Sequence, residues 1–371
     1  MNEPEALELV GSKNWVRLGN RRLLYFSGCD YFRLARHPKV HAAAKAALKQ
    51  QGLNVAASRM TTGNHPLYEE LEGRLATFFG AADALVTGTG YMTNLIVAQA
   101  LAGHFSHALI DDRAHPSLRD AAGFFGCPIV AFKHLDPKAV AEVVERCGGP
   151  RSRMILLTDG MFAHDGSAAP LKEYLSILPS DGMLVVDDAH GAGVLGKTGK
   201  GTIEYAGVSR DRHRVIQTLT LSKAFGAYGG AILGTAKLRK AILERSALFA
   251  GHTPVPLPLA AAAMESIRLL LQTGKVLRGR LHENSRWLKE RLQELGFPAE
   301  AVSKPGPIIY LMPKSSKEVK GLERAFLKAG ILPPITRYPG LPQQGYVRIV
   351  VSSEHTRRDL DGVAGVMRRQ L

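Results

Sequence analysis

Between residues 82 and 246 the chain alternates between short apolar runs and amphipathic stretches, a rhythm that few folds accommodate. Runs rich in aliphatic and β-branched residues over 82–87, 107–111, 129–132, 154–158, 184–187, 215–221 and 231–234 read as strands. Helical patterns open near Gly90 and after His115, and cover 137–146, 170–178 and 237–246. The strand runs are nearly continuous in apolar residues. Strands read that way when helices cover both faces of a parallel sheet. The pattern predicts an α/β fold with a mostly parallel, helix-covered sheet.

On the N-terminal side, 15–27 reads as two strands around Gly19-Asn20. A helix over 37–48 carries Pro38 in its first turn, and another runs from Pro66 to a stop at Gly80. After the proline-rich TPVPLPL of 253–259 the rhythm changes. Two long helices are expected over 260–271 and 276–295. Strands over 308–312 and 346–351 flank a helix over 317–329, and a last helix starts at Thr356. The 371 residues are long for one core. The expected organisation is an N-terminal segment (1–36), a large α/β domain (37–255) and a small α+β C-terminal domain (256–371).

Cys29, Cys127 and Cys147 have neither paired nor metal-like spacing, so a reducing cytoplasmic setting and no metal are expected. The start MNEPEALELV is acidic, unlike a secretory leader, and no apolar run is long enough for a bilayer. The net charge of +15 is spread along the chain without a basic block, which argues against nucleic acid. It suits an anionic substrate.

The chemistry concentrates between Leu184 and Gly230. Leu184, Val185 and Val186 lead into Asp187, Asp188 and His190, and a second β-rich run leads into Ser222-Lys223. Parallel strands bind ligands at their carboxyl ends. GAGVLGKT (191–198) fits the phosphate-loop pattern, and its glycines fit G-x-G-x-x-G. Both motifs need a helix to open at once, whereas Gly199, Lys200 and Gly201 follow here. Pyridoxal 5'-phosphate chemistry needs other parts: a lysine for the Schiff base and an acid against the pyridine nitrogen. Lys223 and Asp187 are placed for these. A helix-capping Asp187 and a snorkelling Lys223 are the plain alternatives for each residue alone.

VVDDAHGAGVLG (185–196) and TLSKAFGAYGG (220–230) together resemble the α-oxoamine synthases, a family of fold-type-I pyridoxal 5'-phosphate enzymes. The resemblance runs from about Trp15 to the C-terminus. It implies that Lys223 carries the cofactor and Asp187 faces its ring nitrogen. It implies that His115 stacks on the ring, His190 bonds the phenolic oxygen, and Gly90, Tyr91, Thr220 and Ser222 hold the phosphate. Thr253 matches a threonine that reaches the neighbouring subunit's phosphate, so a homodimer with shared sites is expected. Taken alone, TGTGYMTN (87–94) is also an ordinary strand-to-helix turn, and a histidine before proline is also a cap or surface residue.

Arg337 matches the family's carboxylate-binding arginine, and Arg348 is a second candidate that also reads as a structural ion pair. Cys29, Arg33, Ala163 and Gly340 stand where the family usually has other residues. The implied reaction removes the Cα proton of a small amino acid, joins the carbon to an acyl-CoA or acyl-ACP thioester, and loses CO₂. TTGNH (61–65) and TDGMF (158–162) point to the members that use L-alanine and a pimeloyl thioester in biotin synthesis. The alternatives are members of the 2-amino-3-ketobutyrate CoA ligase or serine palmitoyltransferase type, and an aminotransferase or lyase on the same scaffold. A P-loop ATPase is the alternative from another class.

Overall fold

The computed structural model describes residues 6–11, 14–148, 152–337 and 344–369. Contacts divide them into two units. One comprises the residues up to His37, Ala163–Ser167 and the chain from Val276 onward; the other comprises Pro38–Phe162 and Ala168–Lys275. The expected N-terminal segment thus groups with the C-terminal residues, and the second division falls between Lys275 and Val276.

In the first unit, β1 (Glu8–Val10), β2 (Trp15–Leu18) and β3 (Arg21–Leu24) form an antiparallel meander. The Gly19-Asn20 turn joins β2 to β3, as the sequence predicts.

The second unit is built on β4 (Asp83–Thr87), β5 (His107–Asp111), β6 (Ile129–Phe132), β7 (Met154–Asp159), β8 (Met183–Asp187), β9 (Val215–Thr220) and β10 (Gly230–Gly234). They form one seven-stranded sheet in the order β4-β10-β9-β8-β7-β5-β6. Only β10 runs antiparallel to its neighbours, β4 and β9. Alternate side chains of each strand enter opposite layers, because a strand repeats every two residues. Ile155, Leu157, Val185 and Ile216 pack with Ile96, Val97, Leu118 and Phe125. Leu156, Leu184, Val186 and Val215 pack with Leu171, Tyr174 and Leu175 on the other face. Burial on both faces explains why these strands read as continuous apolar runs.

The helices that matter for the site have local signals. α1 (Pro38–Gln51) and α2 (Pro66–Phe79) both open on proline, and α2 stops at Gly80, whose φ of 65° is left-handed. Thr89 caps α3 (Gly90–Ala100) by accepting from the Met92 N–H at 3.3 Å. His115 caps α4 (Pro116–Ala122) by accepting from the Ser117 N–H at 3.2 Å.

The chain from 257 to 294 departs from expectation. It is one helix, Leu257–Glu294, rather than two. The gap between the two expected helices holds Gly274, but a helical glycine costs only about 1 kcal/mol against alanine. Leu269, Leu270, Leu277 and Leu281 are buried on either side of it and outweigh that cost. In the first unit, β11 (Ile308–Leu311), β12 (Ile335–Thr336) and β13 (Tyr346–Val350) make a small antiparallel sheet in the order β11-β13-β12. Its core joins Leu24, Phe26, Leu288, Ile309, Val347 and Leu360. Among the described residues no helix is long and apolar enough to cross a membrane.

Candidate active site

The carboxyl ends of β7, β8 and β9 and the turns into α3 and α4 border a cavity of about 200 Å³. Eight residues singled out in the sequence line it: Gly90, Tyr91, His115, Asp187, His190, Thr220, Ser222 and Lys223. Thr89, Ser117, Asp159, Ala189, Tyr228 and Gly229 complete the lining.

Asp187 is the last residue of β8, and Lys223 lies in the turn after the neighbouring strand β9. The acid and the amine therefore reach one cavity from adjacent parallel strands. Asp187 is buried and surrounded by donors. Its Oδ2 accepts from Asn94 Nδ2 at 2.7 Å and lies 3.3 Å from Ser117 Oγ, and its Oδ1 accepts from the Ala189 N–H at 3.1 Å. It caps no long helix, so the helix-capping alternative does not describe it.

His115 sits beside this acid. Its Nδ1 accepts from the Ser117 backbone and lies 2.8 Å from Ser117 Oγ, which places the ring proton on Nε2. Burial pushes its pKa down, against the pull of Asp187; Lys223 pushes the same way as burial. The ring is thereby kept neutral. Its backbone N–H donates to Asp159 Oδ2 at 2.8 Å. Asp159 ends β7 and is the register partner of Asp187. Burial, and then the charge of Asp187, raise the Asp159 pKa well above the usual carboxylate range. A raised pKa for one of two neighbouring buried acids is what like charges meeting in a low dielectric produce.

The far end of the cavity suits an anion. The N-terminus of α3 faces Thr220 and Ser222, whose hydroxyls are 2.8 Å apart. A Cβ added at Gly90 would sit 2.6 Å from Thr220 Cβ, so the helix start approaches β9 as closely as only glycine allows. A Cβ at Gly230 would sit 2.4 Å from the Thr89 carbonyl oxygen. Backbone N–H groups at a helix start, with two hydroxyls opposite, form a phosphate cradle. The whole set fits pyridoxal 5'-phosphate: a phosphate cradle, a flat neutral histidine, an acid ringed by donors, and an amine.

The phosphate-loop lookalike is closed by the protein itself. Glu204 accepts from the Thr198 N–H at 3.0 Å, the Thr198 hydroxyl at 2.9 Å and the Lys200 N–H at 3.1 Å. A carboxylate thus takes the donors that a nucleotide phosphate would need. A helix does follow, Thr202–Tyr205, but it is only four residues long. Beneath the loop, Asp188 accepts from the Thr202 N–H and hydroxyl and from Gln217 Nε2.

Three predicted residues lie outside the cavity lining. Thr253 is exposed, just beyond the short helix Ala247–Gly251. Arg337 is exposed and pairs with Glu323 at 2.7 Å. Arg348, on β13, donates from Nε to the Ala163 carbonyl at 2.6 Å and from Nη2 towards Cys29 Sγ at 3.6 Å. Its partners are thus a carbonyl and a thiol rather than a carboxylate. Two of the departing residues, Ala163 and Cys29, are therefore joined through Arg348. Arg33 takes a left-handed φ of 56° and donates to Asn14 Oδ1 at 2.6 Å. Gly340 lies outside the described residues.

Sequence reasoning missed Asp159, Asn94 and Ser117. Asp159 was accessible, since it ends an apolar strand just as Asp187 does. Asn94 and Ser117 carry no such mark, because a polar residue in a helix usually faces water.

Residues 23–366 match the aminotransferase class I and II family. An 8-amino-7-oxononanoate synthase of Hahella chejuensis is 33% identical, over 95% of this chain and 88% of its own length. One from Xylella fastidiosa is 33% identical, over 97% of this chain and 90% of its own. Among solved structures, the serine palmitoyltransferase of S. paucimobilis with a bound PLP–myriocin aldimine superposes with a TM-score of 0.91 at 26% identity, covering 100% of this chain and 93% of its own. An 8-amino-7-oxononanoate synthase from Francisella tularensis shares the fold, with a TM-score of 0.78 at 20% identity and coverage of 94% and 97%.

Proposed function

Because the chain belongs to the aminotransferase class I and II family and, within it, to the α-oxoamine synthase group, we propose that it is an 8-amino-7-oxononanoate synthase. It joins L-alanine to a pimeloyl thioester, carried on CoA or an acyl carrier protein, with loss of CO₂ and release of the thiol. The observation that carries this reading is the meeting of Asp187 and Lys223 in one cavity opposite the Gly90–Thr220 cradle.

Bound pyridoxal 5'-phosphate supplies an electron sink for the pair left on the amino acid's Cα. The chain's residues do the rest. Lys223 would hold the cofactor through its Nζ and is the amine placed to take the Cα proton of the amino acid. Asp187, kept as an acceptor by the N–H groups of Asn94 and Ala189, holds a proton on the ring nitrogen. The neutral imidazole of His115 would stack on the cofactor's ring. His190 bonds the phenolic oxygen. The N–H groups of Gly90 and Tyr91 and the hydroxyls of Thr220 and Ser222 bind the phosphate. Arg337 clamps the substrate carboxylate after exchanging Glu323 for it. Thr253 reaches the phosphate of a second copy, so the working form is a homodimer.

A second reading has a specific observation behind it. The fit to a serine palmitoyltransferase, at a TM-score of 0.91, is closer than that to the Francisella enzyme at 0.78. One assay separates the two: free thiol released from pimeloyl-CoA with alanine against palmitoyl-CoA with serine. The proposal expects the first pair to turn over and the second to be slow. Turnover of the second pair alone favours the other reading. Product formation without thiol release removes both and leaves an aminotransferase or lyase.

A further inference from the structure

Behind the cavity lining runs a buried polar chain, of which the scheme above uses only the contact from Asn94 to Asp187. Asn94 lies on α3 about one helical turn beyond Gly90 and is only 1% exposed. Its Nδ2 donates to Asp187 Oδ2 at 2.7 Å and to Ser117 Oγ at 2.9 Å. Its Oδ1 accepts from Thr218 Oγ1 at 2.7 Å, and Thr218 is the register partner of Asp187 on β9. An ionised carboxylate only accepts, so the amide's NH₂ must face Asp187 and its oxygen must face the Thr218 hydroxyl. That fixes one orientation of the amide. A buried asparagine is costly unless its polar atoms are matched, and here both are. The same helix carries Gly90 at its first turn, so α3 is a rigid spacer between the acid and the phosphate cradle.

We propose that Asn94 is a positioning residue: it holds the Asp187 carboxylate at the cavity wall for the pyridine nitrogen and, through α3, sets the distance from that acid to the phosphate cradle. The inference rests on the reading that pyridoxal 5'-phosphate occupies this cavity. The amide suits this role because it stays a donor at every pH and adds no charge next to Asp187. An aspartate of the same shape would set two carboxyl oxygens face to face, and they can coexist only by sharing a proton. The shared proton would restore the missing hydrogen bond at low pH and leave it broken at high pH.

The test uses the full-length protein, stripped of cofactor and titrated with pyridoxal 5'-phosphate by intrinsic fluorescence. Asn94→Leu and Asn94→Asp are compared with the parent at about pH 6 and about pH 8.5. Loss of the hydrogen bond to the acid is expected to weaken Asn94→Leu roughly tenfold or more at both pH values. Asn94→Asp is expected to bind within a factor of about three of the parent at the lower pH and roughly tenfold more weakly at the higher. A merely structural asparagine would lower the melting temperature of both variants and give Asn94→Asp no pH-dependent binding of its own. Parent-like binding by Asn94→Asp at both pH values overturns the inference, as does parent-like binding by Asn94→Leu. Should Asn94→Leu not fold, Asn94→Asp decides alone. A parent that binds no pyridoxal 5'-phosphate overturns the underlying reading instead.

Discussion

Replacing Gly90 by alanine tests the phosphate cradle with the least chemical change. The added Cβ would lie 2.6 Å from Thr220 Cβ and 3.0 Å from its Oγ1. Carbon atoms settle at about 3.5–4.0 Å, so roughly 1 Å must be found. Thr220 cannot supply it. It is buried at the end of β9, and its hydroxyl is held at 2.8 Å from Ser222 Oγ and 3.2 Å from the Gly229 carbonyl. The start of α3 must therefore move away. Overpacking of this kind costs about 1–3 kcal/mol. The displacement also separates the helix N–H groups from the hydroxyls opposite, and each hydrogen bond to a charged group is worth about 1.5–3 kcal/mol. Loss of one weakens cofactor binding by roughly 10- to 100-fold. The assay is equilibrium dialysis of stripped protein with pyridoxal 5'-phosphate, beside a Gly73→Ala control. Gly73 is inside α2 and an added Cβ meets nothing within 4 Å, so that change is expected to stabilise by up to about 1 kcal/mol and leave binding alone. Parent-like affinity in Gly90→Ala, or an equal loss in Gly73→Ala, would refute the assignment of the cradle.

Other outcomes follow from the same contacts. Glu72 is buried and accepts from Arg59, from Arg239 at 3.0 Å and from the Val86 N–H at 2.9 Å; Glu72→Ala leaves the buried Arg59 without its carboxylate, while Arg239 keeps Asp83 at 3.3 Å, and is expected to cost about 3–5 kcal/mol in urea unfolding. The His115 pKa is lowered from 6.5 by burial, so the unfolded chain takes up that proton first. Its contribution is complete above about pH 6.5 and is lost as the pH falls towards the folded value, so the parent should lose stability relative to His115→Gln between about pH 7 and pH 5. Glu204, in the short helix after the loop over 191–201, closes that loop; Glu204→Ala is expected to destabilise by about 1–3 kcal/mol, and calorimetry should detect no Mg-ATP binding by either the parent or Lys197→Ala.

The sheet was legible because burial on both faces leaves an unbroken apolar run, and each run in the second unit is a strand. That Asp187, His190 and Lys223 line one cavity was legible for a related reason: polar and ionisable residues at or just after the ends of such runs stand where strands deliver side chains to a ligand. The division of the chain was harder to read. The change of rhythm after TPVPLPL suggested a boundary at 255/256, but a single helix runs on from Leu257 to Glu294, kept continuous by the packing of Leu269, Leu270, Leu277 and Leu281. Asn94 was hidden because its partners, Asp187 and Thr218, lie about a hundred residues away in the chain, and no local pattern reports them. Glu204 was hidden because the phosphate-loop pattern describes only the donors and not the acceptor that closes them.

The central claim is that Lys223, and no other lysine, carries the cofactor opposite Asp187. Borohydride reduction of the protein loaded with pyridoxal 5'-phosphate, followed by peptide mass spectrometry, tests it directly. The pyridoxyl group should be found on the peptide containing Lys223, with no label after reduction of Lys223→Ala. A label on Lys197 or Lys200, or none on the parent, would contradict the account.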